Sequence, residues 1–259
     1  MNNHIKKYIV INLSILLIGL LCCLVISGCF SPGKRLQRIS LFIGIDVSGS
    51  FYNSPYYDNA IRFTAYYIYA HVNGLGNLKT PRALFVGSIG GDTPEEPKAF
   101  HPIHDFQGKS PEQIEKDLKE WFPQSNLLTD FNVFFEKVAS LTKRNNLVLA
   151  PLEIVLISDG IPDVDRTIHD EKERYRSVSF KPIEYLARRI TVRLLYSSSK
   201  VSDYWRTLIT RKRVKVFTQD DEVMAGWVDQ YMSNKPASEQ EKLLTWIKDN
   251  VDLRVPRFY

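Results

Sequence analysis

Cysteine is scarce. The 259-residue chain has three, Cys22, Cys23 and Cys29, all near its start. Everything downstream is free of thiols, which excludes a disulfide scaffold and suits an oxidising compartment, where stray thiols mispair. Runs of basic residues are missing too. The 34 Lys and Arg against 29 Asp and Glu leave a net charge of +5, too mild and too scattered to imply nucleic acid. There is no complete G-x-x-x-x-G-K-[ST] phosphate loop, because Arg35 follows Gly28-x-x-x-x-Gly33-Lys34, no G-x-S-x-G nucleophile elbow, no internal repeat and no low-complexity tract. What is present is an ordinary globular composition. Its 44% hydrophobic and 24% charged residues exclude disorder and collagen. The length allows one large domain or two small ones. A domain of about 200 residues buries roughly 70% of its chain surface, enough for a sizeable core.

Long apolar runs occur once. Lys6 and Lys7 precede residues 9–26, which are apolar apart from Asn12 and Ser14, and the run ends in Ile26-Ser27-Gly28-Cys29. A basic start, an apolar stretch and small residues before a cut make a secretory signal; an uncleaved membrane anchor has a similar length. The segment resembles the lipobox of bacterial lipoproteins. That resemblance implies a signal peptide at 1–28, lipidation of Cys29 as the mature N-terminus and a short tether at 29–37. Phe30, where an Asp would favour the inner membrane, points to the outer membrane facing the periplasm in a Gram-negative host. The expected address is the bacterial cell envelope, through a lipid anchor.

The remainder alternates strand and helix. Residues 38–47 (RISLFIGIDV) form a continuous apolar run, the mark of a strand buried on both faces. Residues 57–72 read as a helix with an aromatic stripe that includes Tyr66, Tyr67 and Tyr69, stopped by Gly74 and Gly76. A strand at 82–89 leads into a Gly- and Pro-rich loop at 90–102. Ser110-Pro111-Glu112-Gln113 opens a helix running to about 121: Ser as N-cap, Pro at the first position, an acid in the first turn. A helix at 131–143 and a buried strand at 152–158 (LEIVLIS) follow. Helices are expected at 182–189, 203–210 and 222–231, and strands at 191–196 and 214–217. A polar break precedes a last helix at 241–249. Such alternation means an α/β fold, a doubly wound, mostly parallel sheet with helices on both faces. The expected division is a domain at 38–232 with a C-terminal helical extension at 233–259.

Three motifs fall where such a sheet places its ligand crevice, beyond the carboxyl ends of strands. They are Asp46-Val47-Ser48-Gly49-Ser50, Thr129-Asp130 and Ser158-Asp159-Gly160. Two carboxylates with three hydroxyls suit a hard cation, and a set without His or Cys argues against zinc. Together the motifs resemble the metal-ion-dependent adhesion site of von Willebrand factor A (VWA) domains: Asp-x-Ser-x-Ser, a distant Thr, then a more distant Asp. The resemblance covers roughly residues 38–231. It implies Mg²⁺, with Mn²⁺ or Ca²⁺ as substitutes. Ser48 and Ser50 would ligate directly, Thr129 directly or through water, and Asp46 and Asp159 mainly through water. A sixth position stays open for an exposed Glu or Asp of a partner protein. The chain departs from the family where Leu127-Leu128 precede Thr129, a place that often holds Gly. The expected role is protein binding, not catalysis. Dehalogenase-type phosphatases need a second Asp where Ser48 stands, and no general base sits beside a nucleophile. The alternatives are a scaffold or assembly subunit of an envelope or conjugation machine and, further off, a metal-assisted hydrolase.

Three other features stand out. His101, His104 and Asp105 crowd one short loop that reads as a solvated turn. Residues 163–181 are dense in charge and read as a solvated loop near the crevice. Phe51 and Tyr52 follow the first motif and are placed to rim a protein interface, where aromatics are enriched.

Overall fold

The computed structural model describes residues 39–90, 100–124, 128–163 and 167–253. The expected signal peptide, Cys29 and the expected tether lie outside the described residues, as do 91–99 of the Gly- and Pro-rich loop and 164–166 of the charged stretch. Residues Gln37–Tyr259 form one compact unit, to which all the strands and both apolar layers described here belong. No helix among the described residues is long and apolar enough to cross a membrane.

The apolar run beginning near residue 38 becomes β1 (Ser40–Asp46), buried at every position. It is joined by β2 (Ala83–Ile89), β3 (His101–Pro102), β4 (Leu152–Ile157), β5 (Ile190–Ser197) and β6 (Val214–Asp220). The order across the sheet is β3-β2-β1-β4-β5-β6. All pairs are parallel except β2 with the two-residue β3. The α/β, mostly parallel sheet expected from the alternation is therefore present. From β1 the chain moves first to β2 on one side and later to β4 on the other. The topological switch point is thus at β1, and a crevice opens there beyond the carboxyl ends of the strands.

Period-two alternation sorts side chains between two layers. Leu41, Ile43 and Ile45 enter one core with α2 (Tyr57–Val72), α3 (Pro111–Trp121) and α8 (Glu241–Asn250). Phe42, Ile154, Leu156, Val192 and Leu194 enter the other with α4 (Phe131–Arg144) and Trp205 of α6 (Ser199–Thr207). The aromatic stripe of α2 is packing: Tyr57, Phe63, Tyr66 and Tyr67 are buried. The expected cap of α3 is a full capping box, Ser110 and Gln113 exchanging side-chain and backbone bonds. Two short helices complete the set, α1 (Gly49–Tyr52) and α7 (Asp221–Ala225), with α5 (Glu171–Ser177) between β4 and β5.

Several expectations are corrected. The helix expected at 182–189 is absent: residues 181–186 form consecutive turns, and 187–189 run irregularly into β5. Pro182 has no N–H to donate, Phe180 O accepts from both Ile183 N and Glu184 N, and Leu186 O is taken by Leu149 N from another loop. Conversely, the charged stretch holds α5, capped by Asp170, whose carboxylate accepts from Glu173 N. Helix α6 starts at Ser199, earlier than expected, because Ser198 caps it. The helix expected at 222–231 divides into α7 and a 3₁₀ turn at Gly226–Gln230.

Helix α8 and the residues after it are locked onto the sheet. Leu243, Leu244, Ile247 and Val251 join the first core. Arg193 Nε donates to Val251 O at 2.6 Å, and Tyr67 Oη donates to Asp252 Oδ1 at 2.8 Å. His71 Nε2 lies 3.1 Å from Asp252 Oδ2, an ion pair rather than an aligned hydrogen bond. His71 Nδ1 meets Lys79 O at 3.0 Å. A carbonyl at one ring nitrogen and a carboxylate at the other are both acceptors, an arrangement that favours the protonated ring. Burial opposes that charge, but Asp252 overcomes it and holds the His71 pKa above its usual value. Burial would likewise raise Asp252, yet His71, Arg193 and Tyr67 bring it down to about 2.

Candidate metal centre

The Asp-x-Ser-x-Ser segment sits at the switch point. Asp46 ends β1, fully buried, and Ser48 precedes α1. Ser48 N donates to Asp46 Oδ1 at 2.9 Å, an Asx-type turn that folds the motif back on itself. The Ser48 and Ser50 hydroxyls are 3.2 Å apart. Ser50 is exposed, so the motif runs from the buried carboxylate out to solvent.

Asp159 follows β4, the strand beside β1. Ile161 N donates to its Oδ1 at 3.0 Å, and the Ser50 hydroxyl also bonds its carboxylate. Gly160 is what allows this turn. Its φ is +76°, and a Cβ there would lie 2.5 Å from a Leu194 methyl. Trp205 Nε1 donates to Gly160 O at 2.7 Å and fixes the turn from below.

Thr129 is buried on the loop before α4. Asp163 N donates to its carbonyl at 3.1 Å, joining it to the loop that carries Asp159. A glycine from another segment lies against this loop. Gly90, beyond the end of β2, has φ +73°, and a Cβ there would come within 2.7 Å of Leu128 O and 3.3 Å of Thr129 Cα. Ile89, the residue before it, is the register partner of Asp46. The fold therefore brings the Asp46, Ser48, Ser50, Thr129 and Asp159 segments to one end of the sheet.

The electrostatics are those of a site short of positive charge. Burial, then the charge of Asp159, push the Asp46 carboxyl up to about 6. The influences that lower it are neutral hydrogen bonds, from Ser158 and Ser48. Burial also raises Asp159, against bonds from Ile161 and Ser50. Two carboxylates disfavoured as anions and surrounded by hydroxyls fit a hard divalent cation. Among the described residues no three His, Cys, Asp or Glu gather into a metal-holding group.

Sequence reasoning left two contributors without a role. Ser158 Oγ donates to Asp46 Oδ2 at 2.5 Å and accepts from Gly160 N, linking the two acidic segments. Asn132, in the first turn of α4, donates to Ser177 O and accepts from Ser179 N, so the end of α5 is pinned near Thr129. Neither pairing leaves a trace in local sequence.

Phe51 does not rim an interface. It is 1% exposed, packed edge-on against Tyr57 and Tyr196. Tyr52, partly exposed, packs on Tyr57 with ring centres 4.4 Å apart. The His101 loop is more ordered than a solvated turn. His101 stacks on Trp121 at 3.7 Å and bonds Asp105, while His104 is exposed.

A scan against protein-family models found no match, and neither did a comparison with curated proteins. Solved structures of similar shape were found. The VWA domain of SpRpn10 aligns over 78% of this chain and 92% of its own, at 11% identity and a TM-score of 0.42. Proximal thread matrix protein 1 from the mussel byssus aligns over 81% of this chain at 12% identity and a TM-score of 0.41. The pilus adhesin SpaC from Lactobacillus rhamnosus GG, in an open conformation, aligns over 82% at 12% identity and a TM-score of 0.47. This chain spans 47% of the mussel protein and 30% of the adhesin.

Proposed function

We propose that this is an exported, lipid-anchored protein whose VWA domain binds a partner protein through a Mg²⁺-dependent adhesion site. One observation carries the reading. The segments that carry Asp46, Ser48, Ser50, Thr129 and Asp159 lie beyond the carboxyl ends of the parallel strands, around a buried carboxyl that burial, then Asp159, raise to about 6. Ser48 and Ser50 would hold the ion directly, Thr129 directly or through water, and the two Asp residues mainly through water. Asp46 suits that indirect role because Ser48 N and Ser158 Oγ already occupy its oxygens. The ion, when bound, supplies a Lewis-acidic position for a partner's carboxylate, and few charged direct ligands keep it electrophilic. Ser50, being exposed, marks the approach. The reading assigns no reaction to the site.

The test is calorimetric titration of Mg²⁺ and Mn²⁺ into residues 37–259, with Asp46→Ala alongside. Saturable binding lost in the variant supports the site and sets up partner capture with and without chelator. Absence of binding in both proteins removes the resident-metal reading. It favours the scaffold or assembly role, in which Ser158 closes the Asp46 network without an ion.

A further inference from the structure

The opposite end of the sheet carries a second surface. Three loops meet at the amino ends of the strands: residues 144–150, 181–189 and 208–213. They are joined by Leu149 N to Leu186 O at 2.7 Å, by Leu152 N to Arg189 O at 2.9 Å, and by the Arg213 guanidinium lying 5.3 Å over the Tyr185 ring. Arg144, Lys181, Arg188, Arg189, Lys212 and Arg213 are all exposed there. The one acid in these loops, Glu184, is buried and committed to Lys212 N, while Arg189 is ion-paired with Glu153 of β4 at 3.1 Å, which leaves the other five to give the face its charge. Amid these cations stand two apolar tips, Leu149 at 71% exposure and Tyr185 at 65%. Leu149 is held outward with φ +72°, a left-handed conformation unfavourable for its side chain. A groove of about 650 Å³ runs alongside, lined by Arg176, Lys181, Lys212 and Tyr185, with the Ser179 and Thr210 hydroxyls.

We infer that this face docks on an anionic phospholipid surface. Clustered Lys and Arg are drawn to acidic headgroups, each contributing roughly fivefold in partitioning. Exposed leucine and tyrosine enter the headgroup boundary, where apolar bodies with polar ends are favoured. An isolated apolar tip needs no explanation; one kept in a strained backbone, on loops that also carry exposed Lys and Arg, does. The polypeptide also enters the domain at this pole, through Ile39 into β1, with Ser40 N bonded to Pro151 O beside the patch. The inference leans on the membrane-anchored reading for its setting, but its surface is the domain's own and needs neither Cys29 nor the metal.

The experiment is sedimentation of residues 37–259 with vesicles of three parts phosphatidylcholine to one part phosphatidylglycerol, against phosphatidylcholine alone. Retention on the anionic vesicles, weakened by salt and insensitive to EDTA, is expected. Arg188→Glu with Arg213→Glu should weaken it at least tenfold while near-ultraviolet dichroism stays unchanged. Leu149→Asn should weaken it several-fold yet raise the unfolding temperature, since Asn tolerates the left-handed backbone; a merely structural residue would not separate these two readouts. Equal binding to both vesicle types, or loss of binding in EDTA, overturns the inference. Preference for a DNA duplex competitor over the vesicles also overturns it, in favour of a nucleic-acid surface. Acylation of Cys29 does not enter the assay, so failure here is distinct from failure of the anchor.

Discussion

At the scale of the residue, Asp46 is the informative group. Its folded pKa, near 6, lies above the ordinary 3.8. A carboxyl raised in this way stabilises the fold fully below 3.8, and that contribution is lost as pH rises through 6. The metal-free protein should therefore be less stable at pH 7 than at pH 4, by about 2 kcal/mol from this group. Asp46→Asn, neutral at every pH, should remove that part of the slope and stabilise the metal-free protein at pH 7. Mg²⁺ should stabilise the parent at pH 7, lose its effect as Asp46 protonates, and leave the variant unmoved. Thermal unfolding with and without Mg²⁺ at two pH values checks all three; a variant that gains nothing at pH 7 refutes the account. Leu149 makes the opposite point at the other pole. Its left-handed backbone costs roughly 1 kcal/mol or more, so the rise in stability expected of Leu149→Asn measures what that exposed position gives up.

At the scale of the element, the C-terminal segment hangs on a few buried polar contacts. Asp252, pulled down to about 2, contributes stability above 3.8 that is lost as pH falls towards 2. His71, raised, contributes stability below 6.5 that is lost as pH rises through its folded value. The pair is therefore at full strength between about pH 4 and 6.5. Asp252→Asn should cost about 3 kcal/mol, the scale of a broken buried pair, and bring the His71 imidazole down in an NMR titration. An unshifted His71 would contradict the pairing. Elements also show where sequence stops speaking. The β1 run and the Ser110 cap were legible because their signals are local: unbroken apolar residues, and a Ser-Pro start. Residues 182–189 misled, since Ile183, Leu186 and Ala187 have helical spacing, yet Leu149 N takes Leu186 O and the chain turns. Helix α5 was hidden for the opposite reason. With Tyr175 its only buried residue it has no apolar periodicity to read, and the usable signal was Asp170 three residues before Glu173. The five candidate residues stand out in the sequence as a pattern. Their support does not, because Gly90 against Leu128, and Ser158 against Asp46 112 residues away, meet only after folding.

At the scale of the molecule, a parallel sheet gives the domain two unlike ends. The carboxyl ends of β1 and β4 carry the acidic site, and the amino ends carry the basic, apolar-tipped face. If both readings hold, a domain resting on a bilayer by one end presents the other end to a partner across the envelope. Raising salt should release the basic face while leaving Mg²⁺ binding largely intact, because the carboxylate there is buried and buried pairs are weakly screened. Vesicle retention and calorimetry on the same sample would measure the two ends separately, and equal loss of both would count against their independence. Strand β1, Ser40–Asp46, joins these ends directly and is flanked along its length by parallel neighbours in matched register. Tension between an anchor and a bound partner would run down its axis. It would load the hydrogen bonds to β2 and β4 side by side, in shear, rather than peel them open one after another. A domain pulled this way should keep its grip while force rises.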